Sequence, residues 1–383
     1  AKRALPCAKI IPVKWVPIIT RGYNDVFYRE AGQFKTTYAA DQAVFPINLD
    51  RWFIAAALVV AFVVIPMTAN EYWLQAVLIP ILVFTMAAIG LNLLVGYTGQ
   101  LSLGTGGFMA VGGFMTYKIT TAFPELNIIL VFLMSSVLAG GVGLLFGIPS
   151  LRIKGFYLAV STLAAQFFLV WMFNKVEWFY NYNPSGSITA PPREMFGVMI
   201  TGPTAVAEAR YMVALVLVVV FAIIAKNLVR GSVGRSWMAV RDMDIAAEII
   251  GIRPFKAKLI AFAVSSFYCG MAGAMMVFLW LGSAETEAFS ITESFNVLFM
   301  VIIGGLGSIM GSFFGASFIV GLPILLTNVP QSFGVAMAID TQKHIEVMVF
   351  GSLIIFFLIV EPHGLARLWQ ITKEKLRLWP FPY

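Results

Sequence analysis

Charge is what this chain has least of: Asp, Glu, Lys and Arg make up 12% of its 383 residues, against 60% hydrophobic. Soluble domains average about a quarter charged and about half apolar. Two soluble domains of this length are therefore excluded, and one polytopic membrane unit is expected. Cysteine and histidine are also scarce, at two each. Cys7 lies near the start and Cys269 inside an apolar run, which implies neither a disulfide framework nor a metal site. His344 and His363 border the last apolar run, and no HExxH motif, Cys/His cluster or Ser/His/Asp grouping falls in one leaflet. An intramembrane enzyme is not expected. The chain also lacks a P-loop with Lys after its glycines, so ATP and other cofactors are not expected to bind it. Ile10–Ile19 is interrupted by Pro12, Lys14 and Pro17 with no small-residue cleavage site after it, so it is not read as a signal peptide.

What is present is a series of long apolar runs. Residues 53–68, 74–95, 126–148, 156–173, 211–225 and 257–281 are nearly uncharged, and most approach the ~20 residues that span a bilayer. Lys and Arg crowd into alternate connections, which orients the chain. With an arm over 1–52 placed in the cytoplasm, all basic residues fall inside except Lys118, Lys175, Arg193, Arg210 and Lys343. The net charge of +7 thus borders apolar spans instead of forming a stripe, and no nucleic acid is expected. Both ends lie inside, so the number of crossings is even. Segments near 53–68, 74–95, 101–122, 126–148, 156–176, 211–229, 257–281 and 345–360 supply eight. The stretch 295–327 adds a re-entrant hairpin or two short spans, for eight to ten helices in an all-α fold. Its Gly304–Gly307 break comes about eleven residues in, near half a bilayer at about 1.5 Å per residue. The organisation is an arm at 1–52, a transmembrane domain at 53–360 and a cytoplasmic tail at 361–383.

Two connections carry local signals. The outer one, 177–210, contains Asn183-Pro184-Ser185-Gly186 and Pro191-Pro192, which specify turns; it forms a cap or a solvated connection. In the inner one, 226–258, Asp242 and Asp244 precede Ile245–Ile250, Gly251 follows and Pro254 lies beyond. Acid before, Gly after and Pro outside mark a helix of about two turns. Its isoleucines are too few to bury one another and need a surface to dock on.

Small residues recur at four-residue spacing at Ala139, Gly143 and Gly147, and again at Gly307, Gly311 and Gly315. Close helix packing is one use of such spacing and a gate is another. Gly96-Tyr97-Thr98-Gly99-Gln100 and Gly304–Ser308 look like breaks, and unwound backbone at membrane depth tends to line cavities. Gly96 and Gly99 loosely mirror Gly304 and Gly307. Acids avoid span centres, so the carboxylate of a proton relay is missing. The polar residues available to a pore are neutral: Asn92, Gln100, Ser102, Thr105, Gln166 and Asn296. They suit a small, largely apolar or zwitterionic solute, or serve as interhelical hydrogen bonds.

Four ordered segments carry a resemblance: GLNLLVGYTGQLSLG at 90–104, GIPSLRIKGFYLAVSTLA at 147–164, GRSWMAVRDMDIAAEIIGI at 234–252 and MVIIGGLGSIMGSFFGA at 300–316. Through roughly 74–360 the chain resembles the permease subunits of bacterial ABC importers for branched-chain amino acids, of the LivM type. That resemblance implies a multi-pass protein of the bacterial inner membrane, worked by two ATP-binding subunits beside a homologous second permease subunit and a periplasmic solute-binding protein. It also implies a cytoplasmic coupling loop with Glu-Ala-Ala, three residues, then Gly. Ala246, Ala247 and Gly251 match this pattern, Ile245 replaces its Glu, and Arg241, Asp242 and Glu248 are the candidate charged contacts to the ATPase. By position, Asn92, Gly96, Tyr97, Gln100, Ser102 and Gly104, with Gly304, Gly305, Gly307 and Ser308, flank the substrate path. Relatives of this kind also move amides and urea. An ion-coupled secondary transporter or channel, and a scaffold without transport, remain as rivals; in the scaffold the glycine breaks would be packed shut.

Overall fold

A computed structural model describes residues 48–151, 156–183, 186–195, 197–202, 205–332, 339–360 and 364–378. Most of the arm at 1–52, with Cys7, and Arg152, Lys154, Pro184, Ser185 and His363 lie outside the described residues.

Apolar chain in lipid satisfies its own backbone as helix. Helix α1 runs Asn48–Val59 and continues through a π turn to Thr68. Helix α2 (Ile79–Thr98) is entered by a π turn at Trp73–Leu78 and has Pro80 in its first turn, where no N–H is required. It ends on Gly99, whose φ of 68° lets Gly99 and Gln100 close back on the carbonyls of Val95 and Leu94. Helix α3 (Thr105–Ala122) follows, then α4 (Ile128–Ser150), which is capped by the Asn127 side chain accepting from the Ile129 N–H at 2.9 Å. Next come α5 (Phe156–Lys175), α6 (Ala207–Arg230), α7 (Ser232–Asp242) and α8 (Asp244–Ile249). Helix α9 (Pro254–Met275) extends as a π turn to Leu281. The chain closes with α10 (Ile291–Gly304), α11 (Ile309–Ser332), α12 (Ile339–Val360) and α13 (Gly364–Leu378).

Eight of these are long and apolar enough to cross a membrane. That is the lower end of the expected range, with a shorter apolar helix at Val347–Phe357 within α12 and α3 largely buried among its neighbours. One expectation changes. The 295–327 stretch falls in two candidate spans of 19 residues each, Thr286–Gly304, made of a 3₁₀ turn and α10, and Ile309–Thr327 within α11. Its glycine break, residues 305–308, is the turn between them. A 3₁₀ turn at Thr286–Phe289 and the extended Ser290 lead into α10, so the first span begins ahead of residue 295.

Helix α9 is the axis, packed on α2, α3 and α4. A Cβ at Gly112 would lie 1.9 Å from the Gly270 carbonyl oxygen, so α3 and α9 meet backbone to backbone. Ala139, Gly143 and Gly147 face Gly270, Ser266 and Phe262 of α9, while Gly311 and Gly315 back onto Gly304 and Met300. Close packing accounts for both small-residue series.

The described residues of the 177–210 connection include three short strands. Strand β1 (Ile188–Thr189) pairs antiparallel with β4 (Ser283–Ala284), and β2 (Arg193–Met195) with β3 (Val198–Thr201). Arg193 ties it down by donating to the carbonyls of Thr120 and Pro124. The inner connection is more helical than expected: α6 runs to Arg230, and α7 precedes α8.

Candidate functional site: a glycine junction and an exposed short helix

Asn92 sits on the last turns of α2, a helix buried along nearly its whole length. Its amide nitrogen donates to the carbonyls of Ser308 at 2.8 Å and Gly305 at 3.4 Å, and to Ser312 Oγ at 3.0 Å. Its Oδ1 accepts from the Gly307 N–H at 2.8 Å. One turn on, a Cβ at Gly96 would come within 2.3 Å of the Gly307 nitrogen. The two glycine breaks are thus one junction, closed by backbone contact and stitched by one amide. Only glycine permits the approach at 96, and the turn requires glycine at 305 and 307, where φ is 117° and 76°.

Arg241, at the end of α7, reaches into this junction. Its Nη1 donates to the Gly96 carbonyl at 2.9 Å, and its Nε donates to Asp242 at 3.0 Å. The last carbonyls of α2 lack helical partners and carry the negative end of its dipole, so a guanidinium is stabilised there. Arg241, expected among the charged contacts to a partner, thus has its hydrogen-bonding edge turned toward Gly96.

Beyond extended Met243 comes α8, shifted slightly from the expected helix. Asp242 closes α7, and the acid in the first turn of α8 is Asp244, which pairs with Lys258 at 2.6 Å. Gly251, with φ of 90°, ends it as expected. Ala247 is 2% exposed and seats the helix on the body, whereas Ile245, Ile249 and Ile250 are 75%, 80% and 71% exposed. Ala246 and Glu248 are exposed too. Helix α7 went unforeseen, although Gly234, Trp237 and Val240 recur every three residues and are its buried face. Trp237 Nε1 donates to the Ala257 carbonyl at 3.1 Å, anchoring α7 to the start of α9.

The remaining polar residues divide. Gln166 joins three elements, accepting from the Gly107 N–H and from Ser294 Oγ at 3.2 Å and donating to the Phe289 carbonyl at 2.8 Å. Asn296 donates to Glu293 at 3.4 Å. Ser102 accepts from the N–H of Gly104, the residue that caps α3, at 3.4 Å, and Tyr97 is buried in the last turn of α2. Gln100 and Thr105 differ: their side-chain polar atoms are buried with no hydrogen-bond partner among the described residues. Among the described residues no three His, Cys, Asp or Glu side chains converge as a metal would require.

Eight helices long and apolar enough to cross a membrane, a close junction between α2 and the turn that joins α10 to α11, and an exposed apolar helix beside it make this a multi-pass membrane protein. The chain belongs to the family described as branched-chain amino acid transport system / permease component, which it matches over residues 73–358. It is 28% identical, over 317 residues, to the high-affinity branched-chain amino acid transport system permease protein LivM of Escherichia coli, covering 78% of this chain and 70% of that protein. The Salmonella typhimurium LivM matches equally, and a probable LivM of Methanocaldococcus jannaschii is 23% identical over 240 residues, covering 62% of this chain and 68% of that protein. No solved structure matches.

Proposed function

We propose that this chain is the transmembrane subunit of an ATP-driven importer in the bacterial inner membrane. It moves branched-chain or other hydrophobic amino acids into the cytoplasm by alternating access. Two separate ATP-binding subunits hydrolyse ATP, a homologous second permease subunit stands beside it, and a periplasmic protein delivers the solute. The observation that carries this is α8: three exposed isoleucines on a six-residue helix held to the body by Ala247 and the Asp244–Lys258 pair. An exposed apolar surface of that kind marks an interaction site, and on a loop rich in Lys and Arg it fits a cytoplasmic protein partner. Motion of α8 passes through α7 to Arg241 and from there to Gly96, so an ATPase that moves the helix strains the Asn92 seal. Gln100 and Thr105 then present neutral hydrogen-bonding groups to the solute; because these suit an amide as well as a zwitterion, uptake assays should include urea.

The test is deletion of Ala246–Gly251 in the assembled complex. The membrane fold is expected to survive while uptake and ATPase association are lost. Normal co-purification of the ATP-binding subunits would refute the role given to α8.

A further inference from the structure

Helix α13 lies beyond the residues matched by the family, 73–358. Its sequence, GLARLWQITKEKLRL, sets Arg367, Lys373, Lys375 and Arg377 against the single acid Glu374. We propose that α13 lies on the cytoplasmic leaflet and binds the headgroups of anionic phospholipids while braced against the glycine junction.

Its placement follows from both faces. On the protein side the Trp369 ring packs, tilted, with its centroid 5.3 Å from that of Phe53 and 5.9 Å from that of Phe314. Phe53 lies near the start of α1 and Phe314 in the second turn of α11, so both mark the inner ends of membrane spans. An indole at that depth is at home in the headgroup region. On the other face Arg367, Leu368 and Lys375 are exposed. A helix with apolar and basic faces at this level is a surface-lying one, and basic residues there are drawn to anionic lipid. Chain reach agrees: α12 ends at Val360 and α13 begins at Gly364, so extended backbone at about 3.6 Å per residue cannot carry α13 far from the bilayer.

The brace is tight. Gly364 has φ of 68°, and a Cβ there would lie 2.6 Å from the Ile303 carbonyl oxygen and 2.7 Å from the Gly305 nitrogen. Arg367 and Gln370 share a cleft of about 410 Å³ with Leu306, Gly307 and Ser308. Lipid held by α13 therefore bears on the turn that Asn92 closes. This last consequence rests on the junction being a gate; lipid binding itself does not.

The test uses the full chain in vesicles without ATPase or solute, so it is independent of the transport assignment. A fluorophore is placed on Thr372→Cys in a Cys7→Ser background, Cys269 being buried. Quenching is read from nitroxide headgroups on phosphatidylglycerol or on phosphatidylcholine. Wild-type sequence should show preferential quenching by phosphatidylglycerol that falls with salt. Arg367→Glu and Lys375→Glu should each weaken the preference about fivefold or more, and Glu374→Lys should strengthen it. Equal quenching by the two lipids would overturn the proposal. So would a label that neither lipid reaches but that added ATP-binding subunits shield, which would make α13 a protein-docking helix.

Discussion

Arg241 donates a hydrogen bond to the carbonyl oxygen of Gly96 across 2.9 Å of space and 145 residues of sequence. It links an exposed segment to the end of the most buried helix. Replacing Arg241 with Ala should leave expression and ATPase association intact but cut solute uptake tenfold or more. A hydrogen bond to a charged group contributes about 1.5–3 kcal/mol. Lys at 241 should restore part of the uptake, since it keeps the charge but not the planar fork. Uptake and ATP hydrolysis measured together in proteoliposomes decide it: an unaltered ratio in Arg241→Ala would remove the residue from the transmission path.

Gly96→Ala should be among the most damaging single-methyl changes in the chain. Its Cβ would stand 2.1 Å from Asn92 Oδ1 and 2.3 Å from the Gly307 nitrogen. Such overpacking costs about 1–3 kcal/mol, and thermal denaturation in detergent should show a lowered Tm. Gly141→Ala is the control, because a Cβ there meets nothing within 4 Å; an equal loss in both variants would contradict the contact.

At position 92 the predicted order is Asn above Ala above Asp. Alanine orphans the Gly307 N–H, at about 1–3 kcal/mol for a buried unpaired group. Aspartate keeps that acceptor but turns a charged oxygen toward the carbonyls of Gly305 and Ser308, which now receive the amide. Tm values in that sequence support the seal, and an Asp variant as stable as wild type would argue against it.

The two faces of α8 should separate stability from assembly. Ile249→Ser leaves Tm unchanged, because the residue is 80% exposed. It should weaken ATPase association about thirtyfold if the side chain is buried there, from roughly 2 kcal/mol of lost apolar burial. Ala247→Glu should instead lower Tm, since a carboxylate at a site 2% exposed has to be desolvated. Titrating the purified permease with ATP-binding subunit measures the first effect, and calorimetry the second.

How far these features were legible differs from one to the next. The C-terminal end of α8 was readable because Gly251 acts on its own backbone, within a few residues. The start of α10 was hidden, because its first turn holds Thr292, Glu293 and Ser294 and a hydropathy pattern reports transfer energy, not hydrogen bonding. Asn92 and Gly96 were visible as unusual residues, but nothing local named Gly307 or Ser312 as their partners. Arg241 read as a contact to another subunit for the same reason: its charge is a property of the residue, while its direction depends on where α7 is anchored by Trp237.

By itself the sequence determined that this is a helical membrane protein, and that a short apolar helix stands in its longest basic loop. Each is a sum of nearby contributions, since partition into lipid and helix capping depend on residues within a turn or a span. The tertiary structure alone decided that the two glycine breaks are a single closed contact, with Arg241 on one side and Gly364 on the other. Contacts across hundreds of residues depend on how helices cross, and small residues permit close crossing without specifying which helix arrives.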